Sequence, residues 1–407
     1  MNINSTRLLK RLNELGDIGR NQQGELSRIA FTDADKLGRD KLVEWMQQVN
    51  LTVKIDHIGN IHGIWEPNSA HGKKPIMMGS HIDTVVNAGK YDGNYGVLAG
   101  LEVIMTLQES GYQPEKGIVI SAFSNEEGAR FAPDMMGSLV YCAGYCLNKA
   151  LQTIDSEGVS IGSELQRIGY AGDVQPGFIQ PEAYIELHIE QGPVLESCDI
   201  PIGIVENLQG ISWQRITIEG VANHAGTTPM SMRSDAGLAA AKITAYISDF
   251  VVENDNHGVA TIGTLQLTPN IINVIAAKAV FTVDLRSPNE RNLQASEAYL
   301  SQCLKQIENT GLFKVSSEKL ARFQPVNFDE TLAKQLEKAA NKRALNTMRM
   351  TSGAGHDAQM MARICPSVMI FVPSKDGISH NPKEHTDAQQ LIDGANLLLD
   401  TVAELSN

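Results

Sequence analysis

The chain has 407 residues, enough for two or three domains of roughly 150 residues each. Its hydrophobic fraction of 42% supplies ample core, yet no apolar run reaches the ~18 residues a membrane span needs. The 34 basic against 47 acidic residues leave a net charge of −13, which argues against nucleic acid or an anionic membrane as partner.

Residues 2–16 form an amphipathic pattern on Leu8, Leu9, Leu12 and Leu15 that lacks the apolar centre of a signal peptide. A second amphipathic helix ends near Val49. Residues 51–55 and 60–65 alternate like paired strands. A short buried strand is predicted over 75–78, and a buried helix over 97–107. Residues 118–122 are a continuous apolar run, read as a central parallel strand. Helices follow to about residue 169, then a strand over 183–187. The five cysteines (Cys142, Cys146, Cys198, Cys303, Cys365) are scattered, which suits a reducing cytoplasm and no disulfide framework. Cys142 and Cys146 stand four apart in a predicted helix, as soft metal ligands or as small buried residues.

At about residue 211 the texture changes. A half-exposed strand over 212–219, an Ala-rich helix over 234–252, strands over 259–267 and 279–285, a helix over 290–310 and a strand over 313–318 follow. The order β-α-β-β-α-β predicts a small ferredoxin-like α+β domain with a sheet edge able to pair with a copy of itself. A helix over 330–344 and a strand over 368–372 return to the first style. The prediction is an α/β catalytic domain with a mixed, mostly parallel sheet, over 1–210 and 326–407, interrupted by an inserted domain over 211–325.

The chemistry gathers at predicted strand ends, where open α/β sheets bind ligands. His81 and Asp83 follow the 75–78 strand, and as i and i+2 on an extended segment they face one way. His81 can ligate a metal while Asp83 orients its ring from behind. Asp92 returns after a Gly-rich loop; a solvated loop that happens to hold His and two Asp is the alternative. Glu126 and Glu127 follow the 118–122 strand, His188 the 183–187 strand and His380 the 368–372 strand. His81, Asp92, Glu127, His188 and His380 make a mixed N/O set suited to Zn²⁺, Mn²⁺ or Co²⁺. Five ligands exceed one tetrahedral zinc and fit two metals sharing a carboxylate, for which Asp92 is the natural choice. Neighbouring Glu side chains diverge, so one can ligate while the other takes a proton from a water. His385 is the rival to His380. Arg286, at a strand end, reads either as a bidentate grip on a carboxylate or as an exposed cation. His224 lies in a polar loop and reads by itself as a surface histidine. His57, His62, His71 and His257 fall in turns or exposed segments and receive no role.

Several runs resemble a known family: Gly79-Ser-His-Ile-Asp-Thr-Val85, Tyr91-Asp-Gly93, Asn125-Glu-Glu-Gly-Ala-Arg-Phe131, Glu186-Leu-His-Ile-Glu-Gln-Gly-Pro193, Asn223-His-Ala-Gly-Thr-Thr-Pro-Met230 and Ser352-Gly-Ala-Gly-His-Asp357. Together they resemble the amidase/hydantoinase/carbamoylase branch of the di-zinc aminoacylase and carboxypeptidase superfamily, over nearly the whole chain. The resemblance implies amide hydrolysis of a ureido acid, whether an N-carbamoyl-L-amino acid, N-carbamoyl-β-alanine or allantoate, with release of ammonia. It implies metals on His81, Asp92, Glu127, His188 and His380, with Glu126 as general base and Asp83 beside it. It further implies that the inserted domain is a lid and forms a homodimer. There His224 would stabilise the oxyanion, and Asn273 and Arg286 would hold the substrate carboxylate. Gln191 and His356 match substrate-contacting positions. Ala276 stands where relatives usually carry Pro, a change expected to loosen the Asn273 loop. An exopeptidase or aminoacylase, or a non-catalytic metal-binding relative, is the alternative reading.

Overall fold

A computed structural model describes residues 1–67, 72–254 and 258–407; His71 and His257 lie outside them. The chain divides into two compact units, residues 1–206 with 328–407, and residues 207–327.

The first unit is built on a mixed sheet. Its strands are β1 (Thr52–Ile55), β2 (Ile61–Trp65), β3 (Ile76–His81), β4 (Ile118–Phe123), β5 (Ala183–Ile189) and β6 (Ile202–Leu208). Strand β7 (Gly210–Glu219) belongs to the second unit, with β8 (Val259–Thr268), β9 (Lys278–Ser287) and β10 (Lys314–Phe323). The same sheet takes in β12 (Thr347–Ser352) and β13 (Ser367–Val372), and at its edge β11 (Val326–Asn327) pairs with the last two residues of β6, all four past the unit boundary; the order is β1-β2-β4-β3-β5-β13-β6-β11, with β12 also on β6. Strands β4, β3, β5 and β13 run parallel to their neighbours in that series, and every residue of the four is buried. That two-sided burial is why they read in sequence as unbroken apolar runs. On its other side β4 pairs antiparallel with β2, so the parallel block ends there.

Helices cover the sheet. Ser5–Asp17 starts on the Asn4 cap and buries the Leu8, Leu12 and Leu15 stripe. Asp33–Gln48 starts on the Thr32 cap, with Asp33 and Asp35 in its first turn where the helix dipole favours them. Asn94–Glu109 is buried on nearly all sides, so it has apolar residues around its whole circumference rather than one stripe. The last helix, Ala388–Leu405, buries Leu391, Leu397, Leu398 and Leu399. No helix among the described residues is long and apolar enough to cross a membrane.

The second unit is a four-stranded antiparallel sheet in the order β10-β7-β9-β8. Helices Ala236–Asn254 and Glu290–Glu308 cover one face, packing Ala240, Ile243, Leu293 and Leu300 onto Ile216, Phe281 and Val283. Chain order within it is β-α-β-β-α-β, the predicted ferredoxin-like arrangement.

Two expectations from sequence fail. His62 is not in an exposed segment: it lies on β2, fully buried, with Nδ1 2.8 Å from Ser121 Oγ and Nε2 3.7 Å from Asp56. Alternation along β2 does not mark the exposed face, because Tyr141 and Phe178 pack over His62. Cys142 and Cys146 do not share a helix: Cys142 closes Met136–Tyr141, Cys146 caps Leu147–Gln152, and only Cys142 is buried. Left-handed Ala143 marks the break between them.

Candidate metal centre

The four parallel strands deliver their carboxyl ends to one place, as the general rule for open α/β sheets requires. His81 is the last residue of β3, and His188 the last but one of β5. Glu126 and Glu127 follow β4, and His380 lies in the loop after β13. Asp92 comes just before helix Asn94–Glu109, on a turn made by Gly93 at φ 63°. A Cβ at Gly93 would lie 2.5 Å from the His81 ring, so the turn admits only glycine without moving that ring.

Asp92 is the centre of the arrangement. Its Oδ1 lies 3.4 Å from His81 Nε2 and 3.2 Å from His188 Nε2, while its Oδ2 lies 3.2 Å from His380 Nε2. His380 Nε2 is also 3.3 Å from Glu127 Oε2. The result is two ligand groups that share one carboxylate, His81–Asp92–His188 and Asp92–Glu127–His380. The tautomers follow from the backs of the rings. His81 Nδ1 lies 2.9 Å from the Asp83 carbonyl and His188 Nδ1 2.8 Å from the Ile189 carbonyl. A carbonyl only accepts, so each Nδ1 carries its proton and each Nε2 offers a lone pair inward.

Lone pairs then face carboxylate oxygens, an arrangement that is attractive only around a cation or an added proton. With no metal ion, protons take that place. Burial disfavours a charged His81, but Glu126, Asp92 and Asp83 override it and raise its pKa well above the usual value. Burial alone would raise Asp92, yet hydrogen bonds from His188, His380 and His81 hold it well below the carboxylate range. Glu127 is pushed up to about 8 by burial and by Asp92, and its Oε1 is buried without a hydrogen-bond partner. Asp92 raises His380 to about 9 by hydrogen bonding, against the effect of burial. The donor set, the inward lone pairs and the orphaned Glu127 oxygen fit two divalent cations.

A pH dependence follows. Folded Glu127 binds its proton more tightly than unfolded Glu127, so its contribution to stability is present below about 4.5 and lost as pH rises through about 8. His380 has the same sign, with a contribution present below about 6.5 and lost through about 9. Metal binding needs these ligands deprotonated, so its stabilisation grows over the same interval. The gap in melting temperature between metal-loaded and metal-stripped protein is expected to widen from about pH 5 to about pH 9. A gap that stays constant or narrows contradicts this account of the ligand shell.

Asp83 is near His81 but acts differently from the sequence expectation. Its backbone carbonyl, not its carboxylate, holds the ring; the carboxylate accepts from the backbone N–H groups of Glu126 and Glu127, both at 3.3 Å. An extended i, i+2 pair does not persist because β3 ends at His81. Asp83 therefore positions the two glutamates. Glu126 points inward, with Oε2 3.4 Å from His81 Nε2, and burial together with Asp357, Glu127 and Asp92 raises its pKa well above normal despite His81. Gln191 donates from Nε2 to Asp92 Oδ2 at 2.7 Å. His356 is buried with its ring 4.5 Å from that of His188 and its Nε2 unpartnered. His385 turns instead to Asp387, 3.1 Å away, and belongs to neither ligand group.

His224, Asn273 and Arg286 lie on the second unit. His224 Nδ1 accepts from the N–H groups of Gly226 and Thr227 at 3.0 and 3.2 Å, which makes its exposed Nε2 the protonated donor. The Asn273 loop is stitched to the His224 segment: Ala225 donates to the Asn273 carbonyl at 3.0 Å and Ile275 to the Asn223 carbonyl at 2.9 Å. The Ala276 carbonyl accepts from the N–H of Ala236, at 3.1 Å, a bond that a proline at 276 would also allow. Arg286, the last but one residue of β9, engages Asp284 at 2.9 Å. Sequence reasoning passed over Ser379 and Glu384, which both touch the Asp92 segment. Their one signal is proximity: they bracket His380 within a single short run.

The chain is similar to known proteins along its whole length. An N-carbamoyl-L-amino-acid amidohydrolase of Rhizobium meliloti is 38% identical over 403 residues, 99% of this chain and 96% of the relative. A ureidoglycolate hydrolase of Arabidopsis thaliana is 33% identical, covering 100% of this chain and 87% of the relative. A crystal structure of an amidase of the hydantoinase/carbamoylase family from Burkholderia multivorans superposes with a TM-score of 0.95 at 39% identity, over 99% of this chain and 98% of that one. The model of peptidase family M20/M25/M40 matches residues 77–404, a span that begins in β3 and takes in every residue of both ligand groups. By that match and by relatives similar along its whole length, the chain belongs to peptidase family M20/M25/M40.

Proposed function

We propose that this protein is a metal-dependent amidohydrolase that cleaves the linear C–N amide of a ureido acid and releases ammonia. The observation that carries the reading is Asp92, whose two oxygens face separate ligand groups. The names of the full-length relatives support the substrate class. Two divalent ions, Zn²⁺ first and Mn²⁺ or Co²⁺ otherwise, would be held by His81, Asp92, Glu127, His188 and His380, and would polarise the carbamoyl carbonyl and acidify a water.

This chain's own residues do the rest. Glu126, buried beside His81, takes the proton of the attacking water and returns it to the leaving nitrogen. Asp83 fixes Glu126 and Glu127 through their backbone N–H groups. Gln191 and His356 meet the ureido group. His224 offers Nε2–H to the oxyanion, and Arg286 with Asn273 takes the substrate carboxylate. We assign the inserted unit as a lid and the interface of a homodimer in which His224 serves the neighbouring subunit, in a cytoplasmic enzyme.

The test is ammonia release from a panel of N-carbamoyl-L-amino acids, N-carbamoyl-β-alanine, allantoate and dipeptides. Turnover of at least one ureido acid, with no cleavage of the dipeptides, is expected. Peptide cleavage without ammonia release from any ureido acid would replace the reading with an exopeptidase.

A further inference from the structure

We propose that Glu384 is a positioning residue that clamps the shared carboxylate Asp92 and the His380 loop to each other, setting how tightly the second ligand group holds its ion. The proposal rests on the reading that Asp92, Glu127 and His380 bind metal.

Glu384 is 6% exposed and faces the back of the centre. Its Oε1 accepts from the backbone N–H groups of Tyr91, at 2.9 Å, and Asp92, at 3.3 Å. Its Oε2 accepts from Ser379 Oγ at 2.9 Å, and the same hydroxyl lies 3.2 Å from Asp92 Oδ2. One carboxylate thus holds the main chain that carries Asp92 and, through Ser379, both the Asp92 side chain and the residue before His380. The approach is close: a Cβ on Gly89 would stand 2.1 Å from Glu384 Oε1, so only glycine at 89 leaves room for the carboxylate. The loop needs such a tie. His380 sits at φ 52°, a left-handed conformation that non-glycine residues hold only when the surroundings impose it. It is also the half-exposed member of the set, with its side chain at 50% exposure against 1% for His81 and His188. Packing that fixes the other two rings is therefore missing for His380, and the Ser379–Glu384 tie supplies the restraint. Glu384 reaches ligands only from behind, so its effect passes through ion affinity.

The experiment loads wild type, Glu384→Gln and Ser379→Ala with Mn²⁺, dialyses each against graded chelator, and counts ions per chain. Melting of the metal-free proteins is followed in parallel. The amide of Glu384→Gln keeps one oxygen for the Tyr91 and Asp92 N–H groups but turns an NH₂ toward Ser379. Glu384→Gln is expected to lose one ion at a free metal level about 10–100-fold higher than wild type, the range for groups that support metal ligands. Its metal-free melting should match that of wild type, and saturating Mn²⁺ should restore its turnover. Ser379→Ala should shift in the same direction, and the double variant should lose less than the sum of the two single losses, because both remove the Ser379–Glu384 bond. Unchanged affinity in either single variant overturns the proposal, as does a metal-free melting loss as large as that of the loaded protein. A wild type that binds no Mn²⁺ overturns the metal reading itself, a result separable from loss in the variants alone.

Discussion

Glu126→Gln is expected to keep both metal ions and to lose turnover by about 10²–10⁴-fold, the contribution of a positioned acid–base group. The substitution is nearly isosteric and leaves the backbone N–H of Glu126 on Asp83 and its carbonyl on the Met135 N–H. What it removes is the only property the proposed role needs, a carboxylate able to accept and return a proton. Glu126 suits that role because burial and three neighbouring acids bias it toward holding a proton, while His81 pulls the other way. Its partner Glu127 lies instead against His380. Metal content by elemental analysis and turnover on one sample decide the matter. A variant that loses an ion would make Glu126 a ligand.

The second large effect concerns His224. Removing one oxyanion donor costs about 10²–10³-fold in turnover, so His224→Ala and Glu127→Ala are both expected to be nearly inactive. The His224 loop is built to present Nε2–H outward, with Nδ1 tied to two backbone N–H groups and Arg233 bound to the Thr228 and Ala225 carbonyls. In a two-fold dimer every cross-subunit contact is reciprocal. If His224 serves the neighbouring subunit, a mixed dimer of the two variants has one site with an intact Glu127 and a partner's intact His224. Equal amounts exchanged at random give half mixed dimers, so about a quarter of all sites should recover. Absence of rescue, with exchange confirmed by a mass-tagged subunit, would place His224 in its own chain's site.

Much of this architecture is legible in the residues because the signals are two-sided. The buried parallel strands show as apolar runs, and the chemistry lies at or shortly after their ends: His81, Glu127 and His188 within a few positions, and His380 eight residues after β13. The second unit shows as a change from such runs to alternation. What the sequence does not display is direction. That Asp83 turns its carboxylate to two backbone N–H groups, and its carbonyl to His81, depends on where β3 stops, and strand ends are the least visible boundaries. The burial of His62 is hidden in the sequence for a related reason: Phe178 and Tyr141, far away in the chain, cover its face of β2. Glu384 leaves no signal in the sequence because, apart from the Ser379 hydroxyl, its partners are backbone N–H groups more than 290 residues away, which form no pattern of side-chain types.

Metal content titrated against ammonia release is the most direct test of a shared-carboxylate centre. Protein stripped by chelator should be inactive, and Zn²⁺, Mn²⁺ or Co²⁺ should restore ammonia release from a ureido acid as the bound ion approaches two per chain, the number implied by the two ligand groups. Asp92→Asn should weaken both ions together, because Asp92 belongs to both groups. Full turnover in a preparation shown by elemental analysis to hold no transition metal would contradict the account.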